Sequence, residues 1–353
     1  MKLLLSEEEH DIAGAAGLCF ADVTARVTAG ADRSAELGII GELGWLGTAT
    51  GPPPHGLAPA LVAEAAGRTL LPLPFAELGL AVPAALAAWP EGASLLEAVV
   101  AGRQAWSPAG VDLLVDGGRG SPPLRAALAA GGWVVSGSAH HVQAAVASTG
   151  YLAVAADEEG VSRLFAVAAD NVEIEATPNA DETCPVSTVT FDGAAGRELP
   201  RASVDALSRW GAVGSVAELL GCVEAQRDLA VAYAKERKQF GVPIGSFQAV
   251  KHHCAEMHVL VEALRVAVWA AAIHAVEQEE SIDHVAVAKS YAGKAGMQVG
   301  KLALQVHGGI GFTWEHPLHR FLKRTTRLTS AFGDAGWHRE SLARCHLDGL
   351  SMP

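Results

Sequence analysis

The sequence predicts a mainly α protein with a small central β domain and a C-terminal four-helix bundle. Two shifts in pattern along its 353 residues predict this order. Apolar residues recur at helical spacing to about residue 102. Short β-branched and aromatic runs then extend to about residue 200, and helical spacing returns after them. We therefore assign three domains, at residues 1–102, 103–200 and 201–353.

The N-terminal domain carries signals for helix starts and for one loop. Ser6 followed by Glu9 fits a capping box at the start of the first helix. Three consecutive prolines at 52–54 predict an extended loop, because proline cannot continue a helix. Pro59 suits the first turn of the next helix, which we expect over 60–68.

Strands are predicted in the middle domain by short apolar runs that Gly, Asp and Asn separate. Residues 189–193 also fit a strand that enters a turn. His140 and His141 fall in a β segment and are expected to be structural. The other predicted strands are 133–136, 151–154 and 164–167.

Helical spacing in the last domain predicts four helices. At about 1.5 Å per residue, the first three are long enough to span a domain as helices of a bundle. The four predicted helices are 204–236, 246–279, 283–307 and 317–327.

Composition narrows the partners and the compartment. The 39 acidic and 26 basic residues give a formal charge of −13, which argues against duplex nucleic acid as a partner. Five widely spaced cysteines without a C-x-x-C pair indicate reduced thiols and a cytoplasmic protein. Because no uninterrupted apolar run of about 18 residues occurs, we expect no membrane span. Acidic residues at 7–9 come too early for a signal peptide.

Two segments carry the strongest motifs, RKQFGVPIGSFQAVKH at 237–252 and QVHGGIGFTWEHPLHR at 305–320. Arg237 offers a fixed charge and a planar fork of donors that suits phosphate oxygens. Gly308 and Gly309 lack a Cβ, so their backbone can approach a ligand closely. No Lys-Ser/Thr pair follows these glycines, which excludes a Walker phosphate loop.

Each motif also has a purely structural interpretation. Arg237 could cap the C-terminus of a helix, and the glycines could form only a tight turn between two helices. The presence of both motifs in order, with Trp-Glu-His-Pro attached to the second, favours ligand binding.

With these two motifs and this domain order, the chain resembles the flavin-dependent acyl-CoA dehydrogenases. The resemblance implies FAD as cofactor, an acyl-CoA as substrate and an electron-transfer flavoprotein as electron acceptor. It places an arginine on the flavin diphosphate of the neighbouring subunit, an aromatic ring against the cofactor, and amides and glycines at the adenosine end. The residues that match these roles are Arg237, Phe240, Gln248, Gln305, Gly308 and Gly309.

The catalytic glutamate of the family has no clear counterpart. The family uses a carboxylate to remove the α-proton of the thioester, usually within a Tyr-Glu-Gly-Thr stretch near the C-terminus. The corresponding stretch here is AFGDAGW at 331–337. Gly333 stands where the glutamate is expected, and Asp334 follows one position later. Asp334 therefore remains open, either as a substitute base or as a helix-capping or interface residue.

Two further parts of the family's site are also missing. Members that carry the base on the first long helix would need a carboxylate near 210–212, which reads WGA here. Glu218 and Glu224, further along that helix, are expected to be solvated or ion-paired. The family's Thr-Glu-Pro and Trp-x-Thr segments, which bind the flavin ring, are replaced by AWSPAG at 105–110 and SAHHV at 138–142.

The sequence thus keeps the elements that serve a neighbour's FAD and lacks those that would hold its own flavin ring. By resemblance, the chain is the non-catalytic subunit of an α2β2 acyl-CoA dehydrogenase, a type known from actinobacterial steroid side-chain degradation. A homologous catalytic chain would supply the ring site and the base. Two alternatives stay open. One is a self-sufficient homo-oligomer that uses Asp334, and the other is a flavin-free scaffold of the same fold.

A histidine-rich stretch is the remaining candidate, for metal binding. His252, His253, Cys254 and His258 match no recognised metal-ligand spacing, so we expect core or surface histidines and no metal. Cys222 and Cys254 lie on apolar helices and are expected to be buried and unreactive.

Overall fold

The computed structural model has an N-terminal helical domain. Its first helix begins with the predicted capping box, in which Ser6 Oγ accepts from Glu9 N (3.3 Å) and Ser6 N donates to Glu9 Oε2 (2.7 Å). Pro59 lies in the first turn of the third helix, as expected. The predicted proline loop at 52–54 lies outside the described residues. The structure describes residues 4–50, 56–111, 114, 124–277 and 281–348.

Five α-helices and one π-helical turn, Ala76–Ala81, are described in this domain. The π-helical turn runs directly into the fourth helix, and such turns often lie at functional sites. The helices are α1 Glu7–Thr28, α2 Arg33–Glu42, α3 Ala58–Arg68, α4 Val82–Ala87 and α5 Ala93–Val100.

The central domain is a seven-stranded sheet that closes on itself. Its strands are β1 Trp106–Ala109, β2 Leu124–Ala129, β3 Gly132–Gln143, β4 Gly150–Ala156, β5 Ser162–Ala168, β6 Val172–Thr177 and β7 Val186–Leu199. The order is β1-β4-β2-β3-β7-β5, with β6 on β7, and β5 also pairs with β4. Tyr151, Phe165 and Phe191 belong to the domain's own core. All the predicted strands fall inside observed ones.

The C-terminal domain contains the four predicted helices and a fifth. These are α6 Arg201–Glu236, α7 Gln248–Glu277, α8 Ser281–His307, α9 Leu318–Ser330 and α10 Ala335–Asp348. The last was not predicted, and it packs on α8. A short hairpin of β8 Lys238–Gln239 and β9 Val242–Pro243 joins α6 to α7.

The long helix α6 joins the N-terminal domain to the bundle. It packs on α3 as well as on α7, α8 and α9. The approach to α3 is so close that a Cβ at Gly67 would lie 1.8 Å from Glu218 O, and one at Gly221 would lie 1.9 Å from Glu64 O. Glycine is therefore required at both positions.

Helix α7 is the one described helix that is long and apolar enough to cross a membrane by length and composition. The segment Gln248–Val276 has a mean hydropathy of 1.8 over its best window. In the structure, however, Met257, Val261, Leu264 and Val268 are buried within the bundle. Core helices of soluble proteins pass the same test.

Arg324 on α9 connects all three domains. Its side chain is fully buried. Its Nε donates to Asp181 Oδ2 from the β domain (2.6 Å) and its Nη1 to Glu218 Oε1 on α6 (2.6 Å). Nη1 also donates to Leu71 O of the N-terminal domain (3.2 Å). A buried cation with this many acceptors fixes the domains against one another, because loss of any partner leaves an uncompensated charge.

Candidate functional site

The fold brings the two sequence motifs to the same end of the bundle. Tyr233, near the end of α6, stacks on His307, the last residue of α8, with ring centroids 4.9 Å apart. Arg237 lies one turn beyond Tyr233, and its N–H donates to Tyr233 O (2.9 Å). Gly308 follows His307 directly. The arginine and the glycines therefore belong to one surface.

The first motif forms an exposed hairpin turn. Ile244 N donates to Arg237 O (2.8 Å) and closes the turn. At its tip Phe240 has a positive φ of 52° and is 91% exposed. Its ring has an edge contact with Phe247, at 6.1 Å between centroids. A bulky apolar residue at a positive φ is uncommon, and here its ring is left in solvent.

The structure shows the structural interpretation of Arg237 and Gly308, while their ligand-binding interpretation stays a prediction. Arg237 is the C-cap residue of α6, and in the described part of the chain its guanidinium makes no hydrogen bond or ion pair. Gly308 (φ 62°) starts the turn between α8 and α9. A Cβ at Gly308 or Gly309 would meet nothing within 4 Å. Packing within the chain therefore does not explain Gly309.

All six predicted cofactor residues are exposed. Phe312 and Trp314 beside them are 73% and 68% exposed, and Lys323 Nζ lies 4.5 Å from the Trp314 ring centroid. A free guanidinium, two amides and approachable backbone N–H groups suit the diphosphate and adenosine of FAD. The residues thus fit that half of the cofactor. We call the six residues the bundle-end surface: Arg237, Phe240, Gln248, Gln305, Gly308 and Gly309.

A second candidate site is a cavity of about 630 Å³ where the three domains meet, here called the interdomain cavity. Glu77 of the π-helical turn lines it from the N-terminal domain. Pro108 at β1 and His140 and His141 on β3 line it from the β domain. The two segments that replace the family's ring-binding signatures are thus brought together here, and the two histidines line a cavity.

The hydroxyl groups of these two segments are engaged inside the protein. Ser107 is fully buried, and its Oγ lies 2.7 Å from both Gln143 O and Ser148 Oγ. Ser138 Oγ lies 2.9 Å from Thr190 Oγ1 on the neighbouring strand β7. The side chains that would have to bind a flavin ring therefore already have partners, and this half of the site does not fit FAD well.

The structure gives Asp334 a capping role. Its Oδ1 accepts from Trp337 N (2.8 Å) at the first turn of α10, and the side chain is exposed. Among the described residues that line the interdomain cavity, Phe332 is present and Asp334 and Gly333 are not. Phe332, at a positive φ of 53°, is buried and lines the cavity, so among the described residues this segment contributes no carboxylate to it.

Sequence reasoning missed both carboxylates that line the cavity: Asp181, which pairs with Arg324, and Glu77. Glu77 accepts a hydrogen bond from Gln143 Nε2, and its Oε1 lies 3.9 Å from Arg327 Nη1. Burial raises the pKa of the Glu77 carboxyl, although the Arg327 charge opposes this. No motif in the sequence marks Glu77, because its position depends on the π-helical turn.

Glu218 and Glu224 on α6 are ion-paired and buried, not solvated. Glu218 pairs with Arg324. Glu224 pairs with Arg265 and lies 3.5 Å from Arg68 Nη1. Neither glutamate lines the interdomain cavity.

The histidine-rich stretch lies on α7. Within the described residues, no group of three or more His, Cys, Asp or Glu side chains could hold a metal ion. Cys222 is buried, and burial raises the pKa of its thiol well above the usual range. Cys254 is only half-buried, so the expectation of full burial was wrong for this residue.

Comparisons with known proteins identify the family. Residues 206–347 match the family described as acyl-CoA dehydrogenase, C-terminal domain. Residues 206–347 thus form an acyl-CoA dehydrogenase C-terminal domain. Solved structures of the family confirm the predicted fold over the full length. One from a variant of the Tcur3481-Tcur3483 steroid acyl-CoA dehydrogenase has a TM-score of 0.86 and 26% identity, covering 97% of this chain and 98% of its own.

A second structure, from the ChsE4-ChsE5 complex of Mycobacterium tuberculosis, has a TM-score of 0.86 and 25% identity, covering 99% and 100%. Among curated relatives, acyl-CoA dehydrogenase FadE34 of M. tuberculosis is 36% identical over 185 residues, 51% of this chain and 26% of FadE34. FadE27 of the same organism is 30% identical over 242 residues, 63% and 62% of the two chains. The alignments thus span less than two thirds of either relative.

Proposed function

We propose that this acyl-CoA dehydrogenase chain is the companion subunit of an FAD-dependent enzyme that oxidises the Cα–Cβ bond of an acyl-CoA. A homologous catalytic chain in an α2β2 assembly would hold the flavin ring and supply the base. The observation that best supports this proposal is the contrast between the two halves of the site. The bundle-end surface is exposed, while the hydroxyls at the ring position and the Asp334 carboxylate have partners within the chain.

In this proposal the chain's own residues bind and orient the cofactor. FAD, when bound, accepts the hydride from the β-carbon of the substrate. The Arg237 guanidinium neutralises the diphosphate, since its fork of donors has no competing partner in the described chain. The amides of Gln248 and Gln305 bind the adenosine end, and the Gly308–Gly309 backbone lets it approach. The exposed ring of Phe240 covers the cofactor and excludes water.

Proton removal is assigned to the partner chain. The stretch that carries the base in the family presents Phe332 to the cavity here, and Asp334 caps α10. A carboxylate that accepts the N–H of its own helix start is poorly placed to reach a substrate Cα.

The finer assignments rest on the relatives. One similar structure is of a steroid acyl-CoA dehydrogenase, and another is of the ChsE4-ChsE5 complex. We accordingly propose a steroid side-chain CoA as substrate and a cytoplasmic assembly of two kinds of chain. An electron-transfer flavoprotein would be the electron acceptor, by analogy with the family.

The deciding experiment is to count flavin per chain. The protein is purified alone and after co-expression with a homologous acyl-CoA dehydrogenase chain encoded beside it. We expect no flavin in the first preparation and one FAD per pair of chains in the second. Arg237→Ala should remove most of this flavin. Arg201→Ala, at the other end of α6 and about 50 Å away by helix length, is the matched control and should retain it.

Two outcomes would contradict the proposal. Full FAD loading with turnover by this chain alone would favour the self-sufficient homo-oligomer. A colourless complex, unaffected by Arg237→Ala, would favour a flavin-free scaffold.

A further inference from the structure

Two glutamates meet where helix α3 of the N-terminal domain packs on helix α6. Glu64 lies on α3 and Glu224 on α6, and neither lines the interdomain cavity. One guanidinium, that of Arg265 on α7, holds both. Its Nη1 donates to Glu64 Oε1 (2.8 Å) and its Nη2 donates to Glu224 Oε1. Because the two nitrogens belong to one planar fork, the two carboxylates are close neighbours.

The backbones of α3 and α6 keep these carboxylates together. A Cβ at Gly221 would lie 1.9 Å from Glu64 O, so the two helices touch through their backbones within one turn of each glutamate. The side chain of Glu64 is 13% exposed and that of Glu224 is 6% exposed. The two carboxylates are therefore unable to move apart into solvent while the helices stay packed.

The charges around the pair do not balance. Four carboxylates and three guanidiniums from α3, α6 and α7 form a continuous network of ion pairs among the described residues. They are Glu64, Glu224, Asp228 and Glu262, and Arg68, Arg227 and Arg265. His258, which is exposed, lies 3.8 Å from Glu262 and adds a charge only when it is protonated. One added proton would therefore make the network neutral.

Glu64 has the atom that can carry this proton. Its Oε2 is buried from solvent and accepts no hydrogen bond in the described part of the chain. A buried oxygen without a donor is costly, whereas a protonated oxygen is itself a donor, and the Glu224 carboxylate beside it can accept. Burial, and next the charge of Glu224, raise the pKa of the Glu64 carboxyl to about 8, although Arg265 opposes the shift.

We propose that Glu64 and Glu224 share one proton at neutral pH, and that this proton stabilises the packing of the N-terminal domain on the bundle. With the proton in place, the pair carries a single negative charge, which the Arg265 guanidinium balances. When the proton is lost at alkaline pH, two like charges face each other across the contact between α3 and α6, and the contact is weakened. The fold thus contains a pH-sensitive contact that does not depend on flavin.

Glu64→Gln tests the proton, because the amide has the shape of the protonated acid and does not titrate. The unfolding equilibrium constants of the wild-type and variant chains, each full-length and flavin-free, are measured by denaturant titration at pH 6 and pH 7. A glutamate with the usual pKa of 4.5 has lost its proton in the unfolded chain at both values, while folded Glu64 keeps it. The ratio of the wild-type constant to the variant constant should therefore rise about tenfold per pH unit.

Glu36→Gln is the matched control. Glu36 is a buried glutamate of the same domain, but it pairs with Arg26. The ratio of the wild-type constant to the constant of this variant should be the same at pH 6 and pH 7. Side chains that titrate alike in all three proteins, such as the exposed histidines, cancel in both ratios.

Two further measurements distinguish a shared proton from a general effect on stability. At pH 7, the infrared difference spectrum between wild type and Glu64→Gln should contain the C=O stretching band of a protonated carboxyl group, which Glu36→Gln should retain. At pH 9, the backbone amides of α3 should exchange hydrogen faster in wild type than in Glu64→Gln, whereas at pH 6 they should exchange equally. If Glu64→Gln does not fold, disappearance of the infrared band of wild type between pH 7 and pH 10 still decides.

Three results would overturn the proposal. A ratio for Glu64→Gln that is equal at pH 6 and pH 7 would show that Glu64 is ionised in the folded chain. A spectrum of wild type without the band of a protonated carboxyl group would show the same. Equal hydrogen exchange of α3 in both proteins at pH 9 would show that the proton does not stabilise the packing of the domains. None of these results depends on the flavin count of the co-expressed complex, so this proposal and the proposed function fail separately.

Discussion

Polar groups are exposed and unpaired at the bundle-end surface of the described chain but buried and paired around the interdomain cavity. At the bundle end, Arg237 makes no hydrogen bond or ion pair with the described part of the chain and Phe240 is in solvent, so neither contributes much to folding. Beside the cavity, Arg324 and its carboxylate partners Asp181 and Glu218 are buried and paired, so they hold three domains together. The difference teaches that polar groups at the bundle end are left available, whereas the paired charges beside the cavity stabilise the chain itself. Stability measurements can therefore separate them.

The largest effect is expected from Arg324→Met. Removing the guanidinium leaves Asp181 and Glu218 buried with less compensation, which costs about 3–5 kcal/mol of the free energy of unfolding. Denaturant titration measures this loss. Arg237→Met is the matched control and should change stability by less than about 0.5 kcal/mol. Similar losses in the two variants would break the contrast between the regions.

The next effect concerns Lys289, which supports the wall of the cavity. This fully buried amine donates to Ala331 O (2.6 Å) and Leu328 O (3.2 Å), next to Phe332. Burial lowers the pKa of Lys289 to about 7, while Asp334 and Glu77 oppose the shift. The unfolded chain has the usual lysine pKa of 10.5. Between these values the unfolded state binds the extra proton, so stability rises with pH.

To test this titration, the free energies of unfolding of wild type and Lys289→Met are measured at pH 8 and at pH 9, and their difference is compared. We expect the free energy of unfolding of wild type, relative to that of Lys289→Met, to rise by about 1.4 kcal/mol per pH unit. The pKa of His338, which faces Lys289, is lowered to about 4 by burial and by the lysine charge, so it does not titrate in this window. A difference that does not change with pH would show that Lys289 stays charged when folded.

Most of the fold could be predicted because local signals agree with it. The capping box at Ser6 is a purely local pattern, and the apolar spacing of α6, α7 and α8 extends over many turns. Closure of the sheet through β4 and β5 depends on pairing between distant segments, which periodicity does not report. Helix α10 was missed because its apolar pattern is weak and its start depends on the Asp334 cap.

The two candidate sites also differ in how far the sequence predicts them. The bundle-end surface could be predicted because its residues lie in two contiguous motifs whose chemistry is visible in the sequence. The polar groups of the interdomain cavity come from three domains, so no spacing connects Glu77 with Gln143 or Arg327. Burial of Glu218 was not predictable either, since a helix sequence does not show which arginine will reach it.

A smaller effect is expected from Asp334, the candidate base that caps α10. Asparagine is as good an N-cap as aspartate, whereas alanine costs about 1 kcal/mol. We therefore expect Asp334→Asn to retain stability, and Asp334→Ala to lose about that amount by thermal or denaturant unfolding. Activity of the co-expressed complex should change less than about twofold in Asp334→Asn. Loss of turnover in Asp334→Asn with stability unchanged would make Asp334 the base.

The smallest effect on stability is expected from Phe240→Ala. The ring is 91% exposed and its edge contact is with Phe247, so its removal should change the melting temperature of the isolated chain by less than about 1 °C. Alanine at a positive φ keeps the same backbone strain, so the comparison isolates the ring. In the co-expressed complex the same variant should release flavin, because it lacks the Phe240 ring that is proposed to cover the cofactor. A stable, fully flavinated complex would show that Phe240 is exposed for a different partner, and the bundle-end surface would be reduced to its polar residues.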